Sequence, residues 1–348
     1  MRRIAICACL LLTTGATTLY AQQEGGNIVT YKDKFFIWPV IKQRALSFDI
    51  RPANQQSPLL QYKPNRPVSM GVGVYAFDVS FELAFAVPLA ASQEELYGNT
   101  TSRDLQINLI SRRFGADAMY QRYQGFYLSD SRIKIPGGQP FPQRADVRTS
   151  LQSVSGFYVF NHKRFSLRSA YTFADRQLTS AGSFLLAGTL SDFQLNADNA
   201  VVSQDQQQSI GLSRRFTELG YQTLSIAPGF SYNLVYRKFL FNVTASFGPA
   251  NHWTHYRDLT GTEHYDIAVN SFADIRLALG YNSDHLFGGI TYGGQSRRAK
   301  MNEMQFANVS TSVRVVIGYR FREFGVLKHS VWELVPILLK TAPPAATK

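Results

Sequence analysis

Apolar and polar residues alternate with period two through much of this chain. In VSFELAFAV, Val79, Phe81, Leu83, Phe85 and Val87 share one face, and Ser80, Glu82, Ala84 and Ala86 share the other. FLFNVTASF sets Phe239, Phe241, Val243, Ala245 and Phe247 against Asn242, Thr244 and Ser246. Ile267, Val269, Ala273, Ile275, Leu277 and Leu279 oppose Asp266, Asn270, Asp274 and Arg276. Near the end, Val309, Thr311, Val313, Val315, Ile317, Tyr319 and Phe321 oppose Ser310, Ser312, Arg314, Gly318, Arg320 and Arg322. Successive side chains of a strand point to opposite faces, so each window predicts a strand with one apolar and one polar side. The last window is longer than the roughly 5–6 residues common in soluble sheets. It suits a tilted membrane-crossing strand, which needs about 9–11.

The connections alternate in length. Short ones fall near Ala76–Asp78, Phe114–Gly115, Asn161–Arg164, Arg237–Lys238 and Asn282–Asp284; long ones fall near 52–67, 89–102, 128–146, 251–264 and 298–306. Short turns at one end and long loops at the other are the habit of transmembrane barrels. Strands near 165–174, 181–190, 206–215 and 222–236 complete the count at about 12–14, with both termini on the periplasmic side. The expectation is an all-β, antiparallel, transmembrane up-and-down β-barrel forming a single domain. The loop Ile133–Gln143 holds Pro136, Pro140 and Pro142, which excludes a central strand there.

The N-terminus changes the picture from fold to location. Arg2 and Arg3 precede an apolar run from Ile4 to Leu12, followed by small and polar residues to Ala21. This is the layout of a cleaved secretory signal peptide over 1–21. Both cysteines, Cys7 and Cys9, lie within it. The division expected is a leader at 1–21, a periplasmic lead-in at 22–43, the barrel at 44–322 and a periplasmic or plugging tail at 323–348. The apolar run is shorter than the about 20 residues a membrane helix needs, so a protein built into a membrane would have to be a closed barrel. The expected location is the outer membrane of a Gram-negative bacterium. Outer-membrane lipid, lipopolysaccharide and the barrel-assembly machinery are the expected partners.

Composition agrees. Charged residues are 17% of the chain, below the roughly 25% of soluble domains. Aromatic residues reach 13%, with 18 Tyr and 25 Phe. The net charge of +12 is spread singly or in pairs such as Arg112–Arg113 and Arg297–Arg298. That scatter argues against nucleic acid as a partner.

On the predicted lumen faces stand Glu82, Arg168, Asp274, Arg276, Arg314 and Arg320. They fit either a network of paired side chains or a selectivity lining. Tyr120, Tyr123, Tyr127, Tyr319 and Phe321 are candidates for the aromatic girdles at the membrane surfaces. His252-x-x-His255, in the expected 251–264 loop, is a weak metal candidate. No catalytic fingerprint and no cofactor-binding motif occurs. The leading function is a narrow solute channel or a structural, surface-interaction barrel. A barrel hydrolase using the His252/His255 loop and a soluble periplasmic β-protein stay open as alternatives.

Three stretches carry a family resemblance. They are Tyr62–Asn65 with the following MGVGVYAFDVSFELAF, the run RDLQINLISRRFGADAMYQRYQGFYL from Arg103 to Leu128, and SAGSFLLAG from Ser180 to Gly188. The chain resembles, from about Tyr31 to Phe324, an uncharacterised outer-membrane barrel family known as a domain of unknown function. The resemblance implies fold and location and no activity.

Overall fold

The computed structural model describes residues 26–322 apart from 32–33, 53–59, 77–78, 211–214 and 302–303. The expected leader and tail therefore lie outside the described residues. A short β1 (Ile28–Thr30) precedes β2 (Lys34–Pro52), β3 (Leu60–Lys63), β4 (Ser69–Ala76) and β5 (Val79–Ala86). Helix α1 (Ala91–Tyr97) leads to β6 (Thr101–Ile110), β7 (Phe114–Asp130) and β8 (Gln143–Val159). An inserted segment with α2 (Arg168–Tyr171) and β9 (Asp175–Gln177) precedes β10 (Ala181–Asn196). After α3 (Gln204–Ile210) come β11 (Phe216–Tyr236), β12 (Phe239–Asp258), β13 (Glu263–Asn282), β14 (Leu286–Met301) and β15 (Met304–Arg322).

Antiparallel ladders join neighbouring strands into one 13-stranded sheet, and the last strand, β15, pairs along β2 from Arg322↔Lys34 to Met304↔Pro52. This ladder closes a barrel. Ten strands complete the hydrogen-bonded ring, against the about 12–14 that turn spacing suggests. The other three, β4, β5 and β6, hang from it: β4 and β5 from β2, and β6 from β7. The cause is local. β3 and β4 descend along β2 as one strand broken at Pro64–Val68. Pro64 and Pro67 cannot donate to a ladder, so the chain steps out of register there. β3 then bridges β2 and β7 directly, with Tyr62 opposite both Phe48 and Leu128.

Several expected boundaries move. The barrel starts at Lys34, so the 22–43 lead-in is partly wall. Phe114–Gly115 opens β7 and is not the turn, which falls at 111–113. Residues 165–174 form α2 and its flanks, and 204–210 form α3; neither region is a strand. Conversely, the expected loops 251–264 and 298–306 are mostly strand, because β12–β13 and β14–β15 run on as hairpins past the apolar part of the wall. Their inward face carries Tyr256, Ala299, Met304 and Phe306 into the far-end core, and many charged and polar residues stand among them, which mimics a loop in sequence.

The apolar faces of the strands point outward. Phe81, Phe85, Phe184, Phe247 and Val269 are each about two-thirds exposed or more. A continuous apolar exterior of this kind is covered by lipid. The belt begins at the end where the chain enters and leaves the barrel, here called the near end, with Phe35, Tyr319 and Phe321. It stops where Gln152, Asp192 and Gln222 stand side by side in register, and at Gln43 on β2.

Inside, the barrel is packed in three layers. At the far end an apolar core joins Phe48, Tyr62, Phe126, Phe193, Tyr221 and Phe306; Phe48 stacks on Tyr62 at 4.5 Å. At the near end the α2–β9 segment folds into the lumen as a stopper, and β9 pairs with β1. Phe173 of the stopper stacks on Phe287 at 5.0 Å and adopts φ 56°, a left-handed conformation unfavourable for an aromatic residue. Arg320 fixes it there by donating to the Phe173 carbonyl at 2.6 Å. Polar and charged residues line the layer between, around a small cavity bordered by Tyr171, Thr244, Asp274 and Arg276.

At the far end, Arg144 donates to the carbonyls of Ala200 and Val201 at 3.0 Å each and holds Asp146 through two 2.8 Å bonds. Asp146 in turn accepts from Asn199 N–H at 3.2 Å. The Arg144 bonds hold the Asp146 carboxyl down at about 2. A depressed carboxylate stabilises the fold above its unfolded pKa, and that contribution is lost as pH falls through the folded value. Amide exchange in 197–203 is therefore expected to quicken between about pH 4 and pH 2, and Asp146→Asn should remove that step. A second expectation concerns Gly125, whose φ of +88° forms the bulge in β7 and where a Cβ would meet Asn99 O at 2.2 Å. Gly125→Ala should destabilise the barrel by about 1–3 kcal/mol, read as a lower temperature for the loss of its folded gel mobility.

Candidate functional site

The middle layer is where the charges converge. On β13 the alternation that turns Ile275 and Leu277 to lipid turns Asp274 and Arg276 inward. Arg276 donates to Asp274 at 3.0 Å and, across the lumen, to Asp117 of β7 at 2.7 Å. On β15, Arg314 donates to Glu82 of β5 at 2.6 Å and to the Tyr171 carbonyl of the stopper at 3.2 Å. Glu82 also accepts from Trp38 Nε1 at 2.9 Å and faces Lys42 at 3.7 Å. Arg276, braced by Asp274, thus forms a strut across the lumen to Asp117, while Arg314 and Glu82 tie together strands on one side of the wall and the stopper.

The other two take part in the stopper. Arg320 is fully buried, bonds Phe173 O and Asn282, and lies over the rings of Tyr31, Phe36 and Phe287. Arg168 projects from α2, not from a wall strand, and reaches Tyr75 at 2.7 Å and Asp175 at 3.9 Å. The near-end opening is thereby sealed by side chains of wall and insert together.

Of the girdle candidates, Tyr319 and Phe321 sit on the outer face at the near rim, 4.8 Å apart. Tyr127 packs with Tyr97 and Phe141 at the far rim. Tyr120 lies half-buried on the outward register of β7. Tyr123 is a correction: it is fully buried inside and donates to Asp104 at 2.7 Å. The bulge at Gly125 shifts the register, so Tyr123 and Tyr127 fall on opposite faces despite their even spacing. His252 and His255 are a second correction. Three residues apart on a strand, they point to opposite sides: His252 is buried against Thr223 and Tyr221, and His255 is exposed. They cannot share a metal, and among the described residues no group of three or more His, Cys, Asp or Glu is placed to hold one.

Sequence reading missed a cluster beside β5 and β6. These two strands are chain neighbours, yet no ladder joins them. Their facing edges leave a seam in the belt. It is capped at the far side by Asn65, which bonds the Gly98 and Gln93 carbonyls, and by Thr100, which bonds Gly125 O. Next to the cap, Arg66 donates to Asp104 at 2.7 Å and covers the Tyr123 ring at 4.4 Å. Its Nε and Nη1 are buried without a hydrogen-bond partner, as is Nε of Arg44. The alternation of β6, with Asp104, Gln106 and Asn108 opposite Leu105, Ile107 and Leu109, was the available signal for an inward Asp104. Arg66, on an irregular segment, gave none.

Removing one side of a buried ion pair leaves an uncompensated charge. Asp117→Ala should cost about 3 kcal/mol or more, and the triple change Asp117→Asn, Asp274→Asn, Arg276→Met much less, as measured by unfolding in urea from detergent micelles.

Several solved barrels are similar in fold. The outer membrane protease OmpT from Escherichia coli is 8% identical, with 84% of this chain and 98% of that one covered and a TM-score of 0.40. The translocator domain of the autotransporter NalP from Neisseria meningitidis is 9% identical, with 86% and 90% covered and a TM-score of 0.32. The toluene transporter TodX of P. putida is 7% identical, with 84% and 91% covered and a TM-score of 0.19. At these TM-scores the likenesses carry no argument about this chain. No curated protein matches the chain. A family model described as Domain of unknown function (DUF4421) matches residues 27–321, and the chain belongs to that family.

Proposed function

We propose that this protein is an integral barrel of the bacterial outer membrane that does not conduct along its axis, and that it acts through its wall and its far-end hairpins as a structural or surface-interaction protein without a catalytic role. The observation that carries this reading is the occupied lumen. An apolar core fills the far half, ion pairs cross the middle, and the α2–β9 stopper closes the near end. A selectivity lining needs charges facing water, whereas Arg276 and Arg314 here face carboxylates and backbone.

The location rests on the belt of exposed aromatic and β-branched residues together with the leader-like N-terminus. In that setting the near end is periplasmic and the far end external. Lipid and lipopolysaccharide surround the belt, and the barrel-assembly machinery inserts it. A soluble periplasmic protein would leave the same belt in water.

The test is planar-bilayer conductance of detergent-extracted protein whose gel mobility shifts on boiling. No discrete current steps are expected from the shifting form. Discrete steps would overturn the non-conducting reading, and recovery of the protein in the soluble periplasmic fraction would overturn the location.

A further inference from the structure

Among the described residues, no ladder joins the sequential wall strands β5 and β6. The free edges of β5 and β6 face each other within the apolar belt, between Phe81, Leu83 and Phe85 on one side and Leu105, Ile107 and Leu109 on the other. Backbone groups left unpaired in hydrocarbon cost several kcal/mol each, so a polar occupant in this seam is favoured over lipid tails alone. The lumen behind the seam is not neutral. Among the described residues, Lys42, Arg44, Arg66 and Arg314 face the carboxylates of Glu82 and Asp104, two negative charges against four positive ones. Arg66 is 93% buried, and both its Nε and Nη1, together with Arg44 Nε, have no acceptor among the described residues. Enclosed guanidinium groups with free N–H donors match a phosphate in charge and in hydrogen-bonding capacity.

The height of the cluster selects the source of that phosphate. Lys42 and Arg44 flank Gln43, the first polar residue above the belt on β2, and Gln43 bonds the Arg66 carbonyl at 3.0 Å. On the outer surface, Arg103 of β6 stands opposite Arg122 of β7, close to the top of the seam. This is the level of lipid head groups, whereas a solute arriving along the axis meets the far-end core or the stopper.

We propose that the β5–β6 seam admits the phosphate head group of an anionic outer-leaflet lipid, which is held by Arg44 and Arg66 while its acyl chains stay in the belt. This rests on the reading of the chain as a membrane barrel. The head group would supply acceptors to the free N–H groups and the missing negative charge.

The test uses full-length protein in detergent–lipid micelles with a photoactivatable phosphomonoester lipid carrying its reactive group in the acyl chain. Labelling is expected to concentrate on β5 and β6, and to fall roughly tenfold in the Arg44→Gln, Arg66→Gln double variant. In the wild type, excess unlabelled phosphatidic acid should compete, while phosphatidylcholine and inorganic phosphate should not. This competition tests the proposal even if the double variant does not fold. Label spread evenly round the belt would overturn the seam site and leave the barrel standing. Equal competition by inorganic phosphate would make the cluster a free-anion site and overturn the lipid. Absence of label from every strand of a protein that shows no heat-shifted mobility would instead refute the barrel reading.

Discussion

Everything in this molecule follows from the need to pair each backbone N–H and C=O within the apolar belt. Hydrocarbon offers no partner, so the sheet must return to its own first strand. The β2–β15 ladder meets that need. Once it closes, the strand number fixes the diameter, and a ring of ten leaves a lumen narrow enough for side chains to meet across it. Arg276 reaching Asp117 from the opposite wall is a direct result of that width. The β5–β6 seam stands out because it departs locally from the same rule, beside the least neutralised charges in the lumen.

The interior resembles three kinds of protein stacked on one axis. The far half is an apolar core of the sort a soluble domain would bury, with aromatic pairs at 4.5–5.5 Å. The middle is a salt-bridge layer whose members have excellent geometry or face a high desolvation penalty. The near end is an inserted segment fastened by Arg320, Asn282 and Asn233, all of which bond its carbonyls. Asn233 and Asn242 bond each other at 2.7 Å and extend that fastening into the wall. The apparent contradiction of a membrane protein with a dry apolar interior is resolved by the filled far half.

Much of the wall was legible in sequence because alternation is a strong signal where one face meets lipid. The windows at β5, β12, β13 and β15 and the inward positions of Glu82, Asp274, Arg276 and Arg314 could be read directly. What failed had specific causes. Residues 165–174 carry enough aromatic and aliphatic residues to imitate a strand, but they are apolar because they plug the lumen. The hairpins past the belt read as loops because charged and polar residues interrupt their apolar positions, although Tyr256, Ala299, Met304 and Phe306 still turn into the core. Alternation from the outward Tyr120 already turns Tyr123 inward, and the bulge at Gly125 is what returns Tyr127 to the outer face. Arg44 and Arg66 escaped notice because their importance lies in partners they lack, which only packing reveals.

The ladder between β2 and β15 also has a consequence in time. Its two strands are separated by nearly the whole length of the barrel chain, and contacts so distant in sequence form late. Until β15 is available, β2 offers an open edge with its apolar face uncovered. The same delay governs the stopper, since β9 is completed by β1 at the very start of the described chain. Early segments must therefore stay unaggregated until the last strand is in place. A molecule that looks static once closed thus owes its correct form to the order in which its two ends are allowed to meet.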